Sequence, residues 1–155
     1  MSSSTPRQPS GIRNKKASHK YLILEKFECG IALKGTEVKS LRSHAASLDE
    51  AYARIEREEI WLLGFNISPY KHGNVMNHQP TRPRRLLLHR REIRKLTPKV
   101  VQRGQTLVPL RVYFNERGLC KVTLALARGK THGDRRQDLK KKDQQREINR
   151  VLRRR

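Results

Sequence analysis

Residues 30–42 read GIALKGTEVKSLR, and this stretch predicts a strand, a glycine pivot and a short charged helix in immediate succession. Ile31, Ala32 and Leu33 suit the buried end of a strand, Gly35 permits a sharp turn, and Thr36 is a helix cap by residue type. The predicted helix carries Glu37 in its first turn and Lys39 and Arg42 toward its end, the arrangement that complements the helix dipole. Val38 and Leu41, three residues apart, are its predicted anchors.

Upstream, Tyr21, Ile23, Glu25 and Phe27 alternate with Leu22, Leu24 and Lys26, which predicts a strand with two unequally buried faces. Downstream, Leu48 to Ile55 reads as strand, although its Ala and Glu content also permits helix. Glu59 to Ile67 is a clearer strand, with Trp61, Leu63, Phe65 and Ile67 expected on one face and Ser68-Pro69 as its stop. A long polar loop is expected from Lys71 to Arg85, after which Leu86 to Leu88 return to the core. Arg90 opens a helix that turns Ile93 and Leu96 inward; Thr97-Pro98 is expected to interrupt it and to open a second short turn that Gly104 closes. Val108, Leu110, Val112 and Phe114, a turn at Asn115 to Gly118, then Val122, Leu124 and Leu126 predict a hairpin.

About six strands with two or three short helices at corners, in no βαβ rhythm, predict a mainly β fold. A closed antiparallel barrel of the oligonucleotide-binding type is the expected architecture. Residues 1–17 read as a flexible basic arm, 18–128 as the barrel body, and 129–155 as a basic tail. The tail sets eleven basic against four acidic residues, a net +7. Apolar residues are scarce there, so the tail is expected to be disordered when free and helical on a polyanion, with Asp134 as candidate cap.

With 36 Lys and Arg against 14 Asp and Glu, the chain carries a formal net charge of +22, and only 35% of its 155 residues are hydrophobic. That composition supports one modest core and asks for a polyanionic partner, nucleic acid first. Neither a lipidation signal nor an amphipathic helix with a bulky aromatic face favours a membrane surface. The opening MSSSTPRQPSGIRNKK has no apolar run, so neither a signal peptide nor an anchor is expected, and the location is predicted to be cytoplasmic. Cys29 and Cys120 form no CxxC pair and the six histidines lack ligand spacing, which predicts reduced cysteines, no metal site and no cofactor. Aromatic residues make up 5% of the chain, too few for a barrel that stacks many bases, and recognition of folded RNA by shape, phosphates and 2′-hydroxyls fits better. A ribonuclease using His19 and His89 as acid and base is the enzymatic alternative. With no third group in evidence to orient either imidazole, no enzyme is expected.

Three segments carry a family likeness: NKKASHKYLILEKFECGIALKGTEVKSLR at 14–42, RPRRLLLHRREIRKL at 82–96 and ARGKTHGDRR at 127–136. Together, in this order and at these intervals, they resemble the SsrA-binding protein (tmRNA-binding small protein B) family over about residues 14 to 150. The resemblance implies an oligonucleotide-binding-type barrel with helices. It also implies a factor of bacterial trans-translation that binds the tRNA-like domain of transfer-messenger RNA and delivers it to the empty A site of stalled ribosomes. Elongation factor Tu with alanyl-tmRNA is implied in the delivery complex; neither a membrane nor a small-molecule substrate is. A monomer is assumed. The competing reading is a generic basic ribosomal or initiation-type RNA-binding barrel, which explains the charge but not the three ordered motifs.

By matching position, the resemblance implies an RNA surface of Asn14, Lys15, Lys16, His19, Glu28, Lys34, Lys39, Arg42, Leu87, His89 and Arg90. The cations would neutralise phosphates, and Asn14 and His19 can donate to phosphate, sugar or base edge. Glu28 must act specifically, by accepting from a base amino group or a 2′-hydroxyl or by orienting a basic neighbour. In the tail, Lys130, Asp134, Arg135, Arg136, Lys140, Lys141, Lys142 and Arg146 are implied to enter the mRNA channel near the decoding centre. The family pattern there resembles GKKxYDKR; this chain has Thr131 for a lysine, Gly133 for an aromatic residue and Arg135 for a lysine.

Overall fold

The computed structural model describes residues 11–153. Along the chain run β1 (Gly11–Arg13), α1 (Ala17–Lys20), β2 (Tyr21–Ile31), α2 (Gly35–Arg42), β3 (Ala46–Ser47), β4 (Tyr52–Glu56), β5 (Glu59–Leu63) and β6 (Asn66–Ile67). A single 3-10 turn at Asn74–Met76 precedes β7 (Arg84–Leu87), α3 (Arg90–Gln102), β8 (Thr106–Phe114), β9 (Cys120–Gly129) and α4 (His132–Leu152). The fold is mainly β, as expected, and every strand pairing is antiparallel. Six strands close into a ring in the order β8-β4-β5-β7-β2-β9, because β8 pairs with β9 as well as with β4. The β4–β8 contact rests on the single register pair Ala53–Leu107, so it is the narrowest seam of the ring. β1 shares an edge of β8 with β4, and β3 and β6 form a separate two-stranded sheet.

Inside the ring, Ile60, Leu62, Phe65, Ile67, Leu107, Val122 and Leu124 are wholly buried. Strand β5 presents Ile60 and Leu62 to this core, which leaves Trp61 and Leu63 half-exposed on the other face. The expected grouping of Trp61 and Leu63 with Phe65 and Ile67 is therefore wrong. Gly64 breaks the alternation: it adopts φ +70°, and a Cβ there would lie 2.4 Å from the Glu50 carbonyl oxygen. The chain turns over at Gly64 and buries Phe65 and Ile67 from the opposite parity. A bulge between Pro109 and Arg111 does the same to β8. Val108 and Leu110 consequently pack with Ala17 and Ala127 in a second, smaller cluster, while Val112 and Phe114 serve the main one.

Several expected boundaries move. Residues 11–16 do not belong to a free arm, since β1 pairs Gly11, Ile12 and Arg13 with Tyr113, Val112 and Arg111; the rest of the expected arm, residues 1–10, lies outside the described residues. The expected strand at 48–55 is broken by a tight turn in which the Ala51 N–H donates to the Leu48 carbonyl (3.0 Å), so pairing begins only at Tyr52. Helix α3 runs through Pro98 without interruption. Its Thr97 hydroxyl donates to the Ile93 carbonyl (2.8 Å), and the helix ends at Gln102, with Gly104 at φ +61° just beyond its cap Arg103. Thr36 does not cap α2; Lys34 holds that position and its N–H donates to Glu37 Oε2 (2.8 Å).

In the tail, His132–Leu152 form one continuous helix of 21 residues. Thr131, not Asp134, is its cap: the Thr131 hydroxyl accepts from the Asp134 N–H (3.2 Å) while the Asp134 carboxylate accepts from the Thr131 N–H (3.0 Å). This reciprocal box satisfies backbone groups that the first turn leaves without partners, and good helix formers follow it. No residue of α4 is buried.

Candidate nucleic-acid interface

The candidate interface is built on β2 and on what enters and leaves it. Tyr21 to Gly30 spans roughly 30 Å at the rise of an extended strand. At its start, α1 carries His19 and the preceding segment carries Lys15 and Lys16, all exposed. At its end, Gly30 pairs with Leu87 on β7, and α2 follows with Lys34, Lys39 and Arg42, also exposed. His89 and Arg90 open α3 just beyond Leu87. The expected residues therefore lie along an extended face, not around one pocket. The same geometry separates His19 from His89 by the length of β2, too far for an acid–base pair on one phosphodiester.

Helix α2 is locked in place by a buried charge cluster. Glu37, fully buried, accepts from Arg82 Nε and Nη2 (2.7 Å each), from Arg84 Nε (2.8 Å) and from the Lys34 N–H (2.8 Å). Arg84 is equally buried and donates further to the carbonyls of Phe65 (2.6 Å) and Pro80 (3.0 Å). Burial alone would raise the Glu37 carboxyl; the hydrogen bonds from Arg82 and Lys34 and the charge of Arg84 outweigh it and hold the group below its ordinary range. From the same turn, the Thr36 hydroxyl meets buried His78 Nδ1 (2.9 Å), whose Nε2 lies 2.9 Å from the Ile67 carbonyl. Glu37 thus does more than complement the helix dipole. It fixes the base from which Lys39 and Arg42 project, and leaves those two cations over Tyr70 and Phe114 respectively.

Glu28 is exposed midway along the face and accepts a 2.5 Å hydrogen bond from the Tyr113 hydroxyl. Partial burial and the neighbouring carboxylate push that hydroxyl up to about 12, so it stays a donor throughout the physiological range. The Arg111 guanidinium covers the Tyr113 ring at 4.4 Å. One carboxylate oxygen of Glu28 is thereby occupied and its orientation set. Tyr113 and Arg111 escaped the sequence reading; the alternation around buried Val112 was the available signal, since it turns both outward.

Other expected residues are spent internally. The Asn14 amide donates to the Pro109 carbonyl (3.0 Å) and its oxygen accepts from the Ala17 N–H (3.2 Å), so this side chain fastens β1 and α1 to β8. Lys16 lies 3.6 Å from Glu50, an exposed pair of little energetic weight. The backbone N–H of His89, the cap of α3, donates to Glu92 (3.2 Å). Leu87 is 47% exposed, an apolar spot between charged neighbours rather than a core residue.

At the other end, His19 and Lys20 face the start of α4 across a cleft of about 650 Å³ lined also by Lys130, Arg135, Lys141 and Lys142. Lys140, Arg136 and Arg146 are exposed on α4. Among the described residues there is no group of three or more His, Cys, Asp and Glu that could hold a metal ion. Burial pushes the Cys29 and Cys120 thiols up to about 12. Among the described residues no helix is long and apolar enough to cross a membrane.

A sequence model of the SmpB protein family matches residues 11–154. The chain belongs to the SmpB family. It is 56% identical over 142 residues to the SsrA-binding protein of Moorella thermoacetica, with 92% of each chain covered. It is 50% identical over 141 residues to that of Thermosipho africanus, covering 91% of this chain and 95% of the relative. Among solved structures it is similar to a chain from work described as tmRNA-SmpB on a journey to the centre of the bacterial ribosome. That match has a TM-score of 0.66 and 48% identity, over 83% of this chain and 94% of the other. Family membership rests on the whole ring plus α4, not on the α2 motif alone.

Proposed function

We propose that this protein binds the tRNA-like domain of tmRNA and delivers it to the empty A site of stalled ribosomes, with the tail entering the mRNA channel near the decoding centre. The observation that carries this reading is the relationship to SsrA-binding proteins, at 56% and 50% identity over more than nine-tenths of this chain. The ring of six strands is read as an oligonucleotide-binding-type barrel, with residues 11–128 as the RNA-carrying body and α4 as the ribosomal arm. Elongation factor Tu with alanyl-tmRNA completes the delivery complex, and the protein acts by binding, with no chemistry of its own, in the cytoplasm.

The geometry supports a division of the RNA surface. Lys15, Lys16, His19, Lys34, Lys39, Arg42 and Arg90 track phosphates along β2 and its two ends, and Glu28, aimed by Tyr113, supplies the selective contact. Leu87 offers an apolar surface beside it. On this reading Glu28→Ala and Lys39→Ala weaken binding of the tRNA-like domain in a gel shift. A chain ending at Gly129 keeps most of that binding and loses tagging on stalled ribosomes. Equal loss of both activities in all three variants overturns the division.

A further inference from the structure

Lys130 differs from the other basic residues at the tail. Its backbone N–H donates to the Lys20 carbonyl (2.9 Å), and its ammonium donates to the Ser18 carbonyl (2.5 Å) and to the Asp138 carboxylate. Ser18 and Lys20 belong to α1, and Asp138 lies in the second turn of α4. The Lys130 side chain is only 11% exposed, although it is a lysine on a surface that otherwise presents its cations to solvent. Its hydrogen bond holds the Asp138 carboxyl below the ordinary range.

Little else gives α4 a direction. None of its residues is buried, and the Thr131–Asp134 box fixes where the helix starts but not where it points. A helix of 21 residues is a lever about 31 Å long at 1.5 Å per residue. A rotation of about 20° at the junction would move its far end by about 10 Å, enough to miss any site that reads the tail. We propose that Lys130 is a positioning residue that ties α1 to Asp138, sets the direction of the tail helix relative to the RNA-binding body, and does not itself contact RNA. The Lys130–Asp138 pair forms one wall of the 650 Å³ cleft and leaves Arg135, Lys141 and Lys142 as the cations that meet a partner. The consequence for ribosomes rests on the function proposed above; the geometry does not.

The test places spin labels at Arg54→Cys on β4 and Gln145→Cys on α4 of the full chain and measures the distance distribution between them. The labels are placed in a Cys29→Ala, Cys120→Ala background, because Cys29 is buried but Cys120 is only partly so. The unmodified staple and the Asp138→Glu variant give one narrow distribution; Asp138→Ala and Lys130→Met broaden it. In unlabelled protein, Asp138→Ala keeps its affinity for the tRNA-like domain within about twofold and loses at least about tenfold in tagging rate, with Asp138→Glu restoring it. A narrow distribution in Asp138→Ala, or unchanged tagging despite a broad one, overturns the proposal. Failure of the wild type to bind the tRNA-like domain would instead overturn the proposed function, leaving the distances to decide the staple separately.

Discussion

Removing the Glu37 carboxylate is the most severe single change that the structure predicts outside the hydrophobic core. Glu37→Ala strips four N–H donors of their acceptor at once and leaves Arg84, wholly buried, without its counter-ion. Breaking a buried pair by deleting one partner costs about 3–5 kcal/mol, mostly as the penalty of an uncompensated buried charge. Surface pairs such as Arg54–Glu56 and Arg85–Glu59, about half-exposed on both sides, contribute at most about 1 kcal/mol each. For a chain of this size the Glu37 loss corresponds to a fall of about 6–20 °C in Tm. Urea denaturation followed by fluorescence of Trp61, the single tryptophan, reads the change. Added salt should barely alter the cost, because a buried pair is poorly screened. A loss below about 1 kcal/mol would refute the reasoning, since it would mean that water replaces the carboxylate at no penalty. The pH dependence carries the same information. The folded-state pKa lies below the ordinary 4.5, so the stabilisation is complete above pH 4.5 and fades as the pH falls through the folded value. Wild type and Glu37→Gln should therefore converge in stability as the pH drops below 4.5 and keep a constant difference above it.

Two further changes probe other parts of the account. Tyr113→Phe removes the donor that orients Glu28 and should weaken binding of the tRNA-like domain about threefold to tenfold in a gel shift, with no further loss when added to Glu28→Ala. Between β4 and β5, Arg57 and Glu58 sit at φ 48° and 61°, a two-residue turn that prefers Asn-Gly. Replacing Arg57-Glu58 with Asn-Gly should raise stability by about 1 kcal/mol in the same urea assay, with RNA binding unchanged.

What could be read from the sequence was local. The β2–α2 corner, the β8–β9 hairpin and the inward Ile93 and Leu96 of α3 each follow from apolar spacing and turn residues within a few positions of one another. The misread features depend on distant partners or on one residue that resets parity. Glu37 looks like a dipole partner until Arg82 and Arg84, forty-five and forty-seven positions away, are brought to it; the RPRR run that supplies them reads as surface loop. Gly64 and the bulge after Pro109 each swap the buried face, which no period-two count across them can show. Pairing of β1 with β8 uses backbone groups, which composition does not reveal, so an ordered segment read as arm. At the candidate interface, residue type picks out exposed cations, but the Tyr113–Glu28 and Lys130–Asp138 contacts needed three dimensions.

The central claim, that this extended cationic face selects one folded RNA rather than binding polyanions at large, is tested most directly by competition. Labelled tRNA-like domain of tmRNA is bound to the full chain at fixed near-physiological salt and challenged with unlabelled tRNA and with unlabelled tRNA-like domain. Selective recognition predicts that tRNA competes at least about tenfold less well, a difference that phosphate neutralisation alone does not generate. Equal competition would contradict the account and reduce the +22 charge to nonspecific attraction.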